Sequence, residues 1–195
     1  MGGGILLLTN NNNSLPLYTW ISSHTFTTIY SDKISVSMIR KINPSLVISF
    51  NYSHIIKSDV IALLPKKLIN LHISLLPWNR DSSPNFWSFI EDTPKGVTIH
   101  QIDEGLDTGA IIAQQQMYFD ENLETLASSY QKLQEAVQDL LKSNFDNILS
   151  GNYSVKRSHE EGSFHRVADL KKLIGSDPPY HVKISELKAW VSCYR

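Results

Sequence analysis

Leu46-Val47-Ile48-Ser49-Phe50, the stretch Lys57 to Leu64, and Leu68-Ile69-Asn70-Leu71-His72-Ile73-Ser74 follow one another as an aliphatic run, a helix-like connector and a second aliphatic run. Short runs rich in Leu, Ile and Val and bounded by polar residues are the pattern of strands buried on both faces. Two such strands joined by a helix pair in parallel through a right-handed crossover, so this segment predicts one parallel α/β unit. The same order extends outward: Ile5 to Thr9, Thr25 to Tyr30 and Val97 to Ile102 are further strand candidates, and Ser35 to Ile42 is a second helical connector. Asn85 to Glu91 reads as a short helix after Pro84, and Ala110 to Gln114 as a short strand. The expected fold class is α/β, an open, mostly parallel twisted sheet with flanking helices. Ligands of such sheets bind beyond the carboxyl ends of the strands, which directs attention to the residues just after Phe50, Ser74 and Ile102.

Downstream, apolar residues at 123, 126, 130, 133, 137, 140, 141, 145 and 148 have the three-and-four spacing of a long amphipathic helix laid on the sheet, ended by Gly151. The expected division is a main domain over residues 1–151 and a small C-terminal appendage over 152–195. The appendage is more polar, holds the turn-like Asp177-Pro178-Pro179, and carries the aromatics Phe164, Tyr180, Trp190 and Tyr194. At 195 residues, 42% of them hydrophobic, the chain has the apolar content to fill one generous core. With a formal charge of −1 and Lys and Arg spread along the chain, there is no basic stripe for a nucleic-acid backbone, and no nucleic-acid partner is expected. Cys193 is the only thiol, which excludes an internal disulfide framework and a cysteine zinc site and fits a reducing, cytoplasmic setting. The apolar run Ile5 to Leu8 is too short for a signal peptide or a membrane span, so no membrane association is expected. Gly2 and Gly4 precede the first strand rather than follow it, which argues against a dinucleotide phosphate loop.

Two segments carry candidate chemistry. In Asn70 to Trp87 an amide and an imidazole, Asn70 and His72, stand two residues apart at a strand end, and period-two alternation points both to one face. The strand exits through Ser74-Leu75-Leu76-Pro77 into a polar loop, the kind of anchored loop on which sites are built. The second segment runs from Lys95-Gly96-Val97-Thr98-Ile99-His100 into a glycine-bracketed loop with Asp103, Glu104 and Asp107. A solvated turn residue is the ordinary reading of each acid. Asp107, between Leu106 and Thr108-Gly109, fits that reading least. The seven histidines show no ligand spacing with paired acids, so no metal is expected.

In this order and separation the two segments resemble the signature of the folate-dependent formyltransferases: Asn-x-His with Ser-Leu-Leu-Pro and Arg80, then Pro84 and Trp87, then Gly-Val-Thr-Ile-His, then Leu106-Asp107-Thr108-Gly109 with Gln114 beyond. The resemblance spans roughly residues 44–150 and is similar to the glycinamide ribonucleotide, methionyl-tRNA and nucleotide-amino-sugar branches of that family. It implies a Rossmann-like formyltransferase fold, Asn70, His72 and Asp107 as the catalytic trio, and 10-formyltetrahydrofolate as co-substrate. It also implies a folate site built from Asn51, Tyr52, Ser53, His54, Ile55 and Ile56, from Leu76, and from Asp103 and Gly105 of the acidic loop. The chain departs from the family's pattern where Ile73 replaces a proline and Asp81 replaces a glycine after Arg80. Asp81 is expected to cancel part of any anion-binding field of Arg80.

Formyl transfer needs a neutral amine as nucleophile, a stabilised oxyanion and a protonated leaving nitrogen. In the expected mechanism His72, kept cationic or made so by Asp107, and the Asn70 amide donate to the oxyanion, while Asp107 orients the imidazole and relays a proton. The N-terminal loop lacks the Gly-Ser-Asn phosphate cradle of the glycinamide ribonucleotide branch, and no stretch after residue 151 matches the tRNA branch's C-terminal barrel. The expected acceptor is the primary amine of a nucleotide-linked amino sugar, with Phe164 to Asp169 helping to hold the nucleotide and Tyr180 or Trp190 available for stacking or a homodimer contact. Alternatives are transfer to glycinamide ribonucleotide or another small amine, a non-catalytic folate-binding protein, and a formyl-folate hydrolase.

Overall fold

A computed structural model describes residues 3–193; Gly2 and Tyr194 lie outside the described residues. The chain begins β1 (Gly3–Leu8), α1 (Leu15–His24), β2 (Thr27–Tyr30), α2 (Val36–Ile42), β3 (Pro44–Phe50), α3 (Ser58–Ile61), β4 (Leu68–His72). It continues β5 (Arg80–Asp81), α4 (Pro84–Ile90), β6 (Lys95–Gln101), β7 (Ile111–Met117), α5 (Leu126–Ser150), β8 (Phe164–His165), α6 (Val167–Ile174) and α7 (Ile184–Ser192). The main sheet has six strands in the order β2-β1-β3-β4-β6-β7. β1 pairs with β2 and β3, and β3 with β4, all in parallel, as the strand–helix–strand order predicts.

Beyond β4 the expectation of parallel pairing fails: β6 runs antiparallel to β4, and β7 antiparallel to β6. The helix between β4 and β6 does not cross the sheet. Instead α4 turns its Phe86, Phe89 and Ile90 to α7, where they form a second core with Leu126, Ile174, Ile184, Leu187 and Val191. The C-terminal segment is thus tied to the rest of the molecule by burial, by hydrogen bonds that Arg80 and Ser82 donate to Ser163 and His165, and by the reciprocal pair of Lys156 and Ile111.

The main core is a three-layer packing. Ile5, Leu7, Ile48, Phe50, Ile69 and Leu71 face Leu17 and Ile21 of α1 and Leu133, Val137, Leu141, Phe145 and Ile148 of α5. The alternate positions Leu6, Leu8, Val47 and Leu68 face Ile39 of α2 and Val60 of α3, as the two-residue period of a strand requires. α5 starts at Leu126, because Thr125 and Ser128 form a reciprocal capping box, and Leu123 is left exposed. Gly151 ends it at φ 74°, a left-handed conformation that glycine adopts without strain. The connector expected over Lys57 to Leu64 is helical only from Ser58 to Ile61. No helix among the described residues is long and apolar enough to cross a membrane.

Candidate active site

On β4, Asn70 and His72 lie on the same face as Leu68, opposite Ile69 and Leu71, which pack toward α5. The antiparallel register sets His100 against Asn70 and Thr98 against His72. The connection from β6 to β7 then folds back over this face. Its closing residue, Gly109, lies so near the Gln101 carbonyl that a Cβ there would collide with it. Asp107, at φ 52°, is carried over the two strands in this way. The acidic loop follows an antiparallel strand, so the carboxyl-end rule that directs attention to it does not hold for β6; the hairpin's fold-back brings it to the site.

The carboxylate of Asp107 is the hub. Its Oδ1 accepts from Asn70 Nδ2 at 3.2 Å and lies 3.3 Å from His100 Nε2, and its Oδ2 accepts from the Asp81 backbone N–H at 3.0 Å. His72 Nε2 is 3.6 Å from the same Oδ2 and 3.4 Å from the Asn79 carbonyl oxygen. Both neighbours are acceptors, so this nitrogen carries the hydrogen. His100 Nδ1 lies 2.8 Å from the Gln101 carbonyl oxygen, and its Nε2 lies between Asn70 Nδ2 at 3.2 Å and Asp107 Oδ1 at 3.3 Å. The Asn70 amide is thus directed at Asp107, and its donation to a substrate oxyanion requires that contact to be exchanged.

The three expected catalytic residues therefore meet, and they meet at the floor of a cleft of about 540 Å³, within the range of small-molecule sites. Asn51, Tyr52, Ser53, His54, Ile55 and Ile56 form one wall, and Asp103 and Gly105 stand opposite. That first wall is pinned: the Asn51 and Gln134 amides exchange two hydrogen bonds, and Asn10 Oδ1 accepts from the backbone and hydroxyl of Ser53. Ile55, 81% exposed, and Leu106 are apolar lips on the two sides. Asp103 is occupied in holding its own loop, accepting from Thr108 Oγ1 at 2.6 Å and Gly105 N at 3.1 Å. Leu76 is the exception. It is 5% exposed and absent from the cleft lining, because its backbone is drawn inward by Thr98 Oγ1 and the Gln114 amide.

His100 and Asp81, outside the expected set, also line the cleft and bear on the hub. His100 is 1% exposed and joins the hub; the signal that finds it is the antiparallel register opposite Asn70. Asp81 borders the cleft, whereas the guanidinium of Arg80 beside it donates to the carbonyls of Glu161 and Ser163 and turns away toward the C-terminal segment. The expected cancellation of Arg80 by Asp81 is replaced by this separation. Trp190 lines another groove, of about 380 Å³, with Asp177, Pro179, Val182 and Glu186.

Burial pushes the His72 imidazole below its ordinary value of 6.5, and the nearby Asp107 charge only partly opposes this. The resting imidazole is therefore neutral at neutral pH; of the two expected states, kept cationic or made so by Asp107, the first is not met, because burial outweighs the Asp107 charge. Burial also acts to raise Asp107, but His72, His100 and the Asp81 N–H outweigh it and hold the carboxyl well below the usual carboxylate range. A neutral N–H group can donate a hydrogen bond to developing negative charge, and the permanent anion beside it holds the ring in orientation. Among the described residues, no group of three or more His, Cys, Asp or Glu is arranged to hold a metal ion.

The family model described as formyl transferase matches residues 16–144. The formyltransferase PseJ from Anoxybacillus kamchatkensis, solved in complex with UDP-4,6-dideoxy-4-formamido-L-AltNAc and tetrahydrofolate, is 36% identical over 96% of this chain and 100% of that one, with a TM-score of 0.84. A methionyl-tRNA formyltransferase of Clostridioides difficile is 28% identical over 93% of this chain and 58% of its own. A dTDP-4-amino-4,6-dideoxyglucose formyltransferase of Mycobacterium bovis is 35% identical over 55% of this chain and 45% of its own. The chain spans about half the length of these last two relatives.

Proposed function

Because the chain belongs to the formyl transferase family, we propose that it is a folate-dependent N-formyltransferase that moves the formyl group of 10-formyltetrahydrofolate onto the primary amine of a nucleotide-linked amino sugar. The observation that carries this reading is the convergence of Asn70, His72 and Asp107 on one carboxylate-centred hub at the floor of an open cleft. His72 Nε2–H serves as a hydrogen-bond donor to the formyl oxygen as it gains charge, with Asp107 orienting the imidazole. Asn70 and His100 hold Asp107 in place. The folate donor lies between residues 51–56 and the loop 103–107, where Ile55 and Leu106 cover a flat ring and backbone groups meet its polar edge.

The sugar acceptor is supported by the likeness to PseJ, which runs through nearly the whole chain and whose bound ligand is a formylated UDP-sugar. It is also supported by the position of Phe164 to Asp169, whose strand β8 pairs with Arg80 and Asp81 at the border of the cleft. The test is a panel of acceptors assayed with the folate donor: UDP- and dTDP-linked 4-amino-4,6-dideoxy sugars, glycinamide ribonucleotide and charged initiator tRNA. Formylation of a sugar nucleotide is the expected result. Formylation of one of the other two with no sugar turned over refutes the substrate assignment, and formate release that ignores every amine refutes transfer itself.

A further inference from the structure

We propose that Asp81 is the acceptor-side catalytic carboxylate: it receives the incoming amine as an ammonium ion and takes the proton that must leave before the nitrogen can attack. This rests on the formyltransferase reading above and concerns the half of the reaction that the trio does not serve. A primary amine in neutral water is mostly protonated, and the protonated form has no lone pair. Among the described residues the cleft is lined by Asp81, Asp103, Glu104 and Asp107 and by no Lys or Arg, so it attracts a cation. Three of these carboxylates are unsuited to accept the proton. Asp107 is committed to Asn70, His100 and the Asp81 N–H, Asp103 to Thr108 and Gly105, and Glu104 is at the exposed outer turn of the loop. His72 Nε2 already carries a hydrogen toward its acceptors. Asp81 is what remains: no hydrogen bond or ion pair to its carboxylate is made by the described residues.

Its placement is built rather than incidental. The Asp81 N–H donates to Asp107 Oδ2 at 3.0 Å, which sets the residue directly against the hub. Its φ is 72°, a left-handed conformation that costs a residue with a Cβ about 1–2 kcal/mol and that glycine takes freely. The conformation is maintained by the β5–β8 pairing, with Arg80 N donating to the Ser163 carbonyl at 3.0 Å and Ser82 N to the His165 carbonyl at 2.9 Å. The groups facing the carboxylate are Asp107 from the loop after β6, His72 from β4, and Arg166 and Asp169 at the start of α6. Burial and Asp107 raise its proton affinity above that of an ordinary carboxylate, which suits a base, while His72 and Arg166 act in the opposite sense.

In the step, an N–H bond of the ammonium breaks and an O–H bond forms on Asp81. The freed lone pair forms the C–N bond to the formyl carbon, the bond from that carbon to the donor nitrogen breaks, and a second amine proton ends on the departing nitrogen. Asp81 returns its proton to water. The test measures kcat/KM for UDP-linked 4-amino-4,6-dideoxy-L-AltNAc in the parent chain, Asp81→Asn and Asp81→Gly, from mildly acidic pH up to the pKa of the free amine, with affinity for a formyl-folate analogue measured in parallel. Asp81→Gly suits the φ of this position, keeps the N–H to Asp107, and so decides the matter even if Asp81→Asn folds poorly. The expected result is a loss of about 10²-fold at neutral pH with donor affinity unchanged, the loss shrinking as pH approaches the amine pKa and free amine becomes abundant. Variants whose profiles run parallel to the parent at undiminished rate overturn this proposal alone. A parent chain that formylates no amine overturns the formyltransferase reading and this proposal with it.

Discussion

Asp107→Asn is the perturbation whose consequences the geometry specifies most fully. The side chain keeps its shape, but one of its two oxygens becomes an NH2. If the amide group takes the place of Oδ1 it faces the Asn70 NH2 at 3.2 Å; if it takes the place of Oδ2 it faces the Asp81 N–H at 3.0 Å. Either rotamer sets donor against donor, and a buried donor without a partner costs about 1–3 kcal/mol. For a chain of this size that is a fall in Tm of roughly 2–12 °C, at about 2–4 °C per kcal/mol. The substitution also removes the negative charge that orients the His72 N–H, so turnover should fall by about 10²–10³-fold, while affinity for a formyl-folate analogue changes little. Calorimetric unfolding, formyl transfer and titration of the analogue read the three quantities separately. A variant as stable and as active as the parent refutes the hub; one that loses analogue binding in step with turnover refutes the separation of ground-state from transition-state roles.

Two further outcomes follow from the same structure. The His72 imidazole, followed by NMR and assigned with His72→Gln, should titrate below 6.5, and lower still in Asp107→Asn because the opposing negative charge is gone. Its lowered value means that unfolding takes up a proton between that value and 6.5, so stability rises with pH across that window and falls on acidification; a midpoint above 6.5 contradicts the neutral resting imidazole. Leu187→Ala, in the core that joins α7 to α4, should cost about 2–5 kcal/mol and lower a single unfolding transition, whereas a separate early transition contradicts one cooperative unit.

The legible parts of the fold were those in which the sequence pattern and the packing use the same residues. The aliphatic runs at β1, β3 and β4 are buried on both faces, and the stripe of α5 lies on the core, so periodicity alone finds them. α1 escapes the pattern because it buries only Leu17 and Ile21 and follows the tract Asn10 to Asn13, which reads as a turn. The direction of β6 is not legible because a helix intervenes after β4, and nothing local shows that α4 packs sideways on α7 instead of crossing the sheet. His100 is hidden with it, since its place beside Asn70 exists only in the antiparallel register. Asn70, His72 and Asp107 were legible through the resemblance of their motifs. The distances among them, and the neutral state of His72, depend on burial and on a hairpin that folds back, neither of which a linear pattern carries.

The most direct test of the central claim is to follow the formyl carbon itself. With 10-formyltetrahydrofolate labelled by ¹³C at the formyl group and UDP-linked 4-amino-4,6-dideoxy-L-AltNAc as acceptor, NMR should show the label moving to an amide on the sugar nitrogen in the parent chain. In His72→Ala the label should stay on the donor, slowed by about 10²–10³-fold. Label that appears as free formate at the same rate with and without the amine, or that reaches the sugar at full rate without His72, contradicts the account.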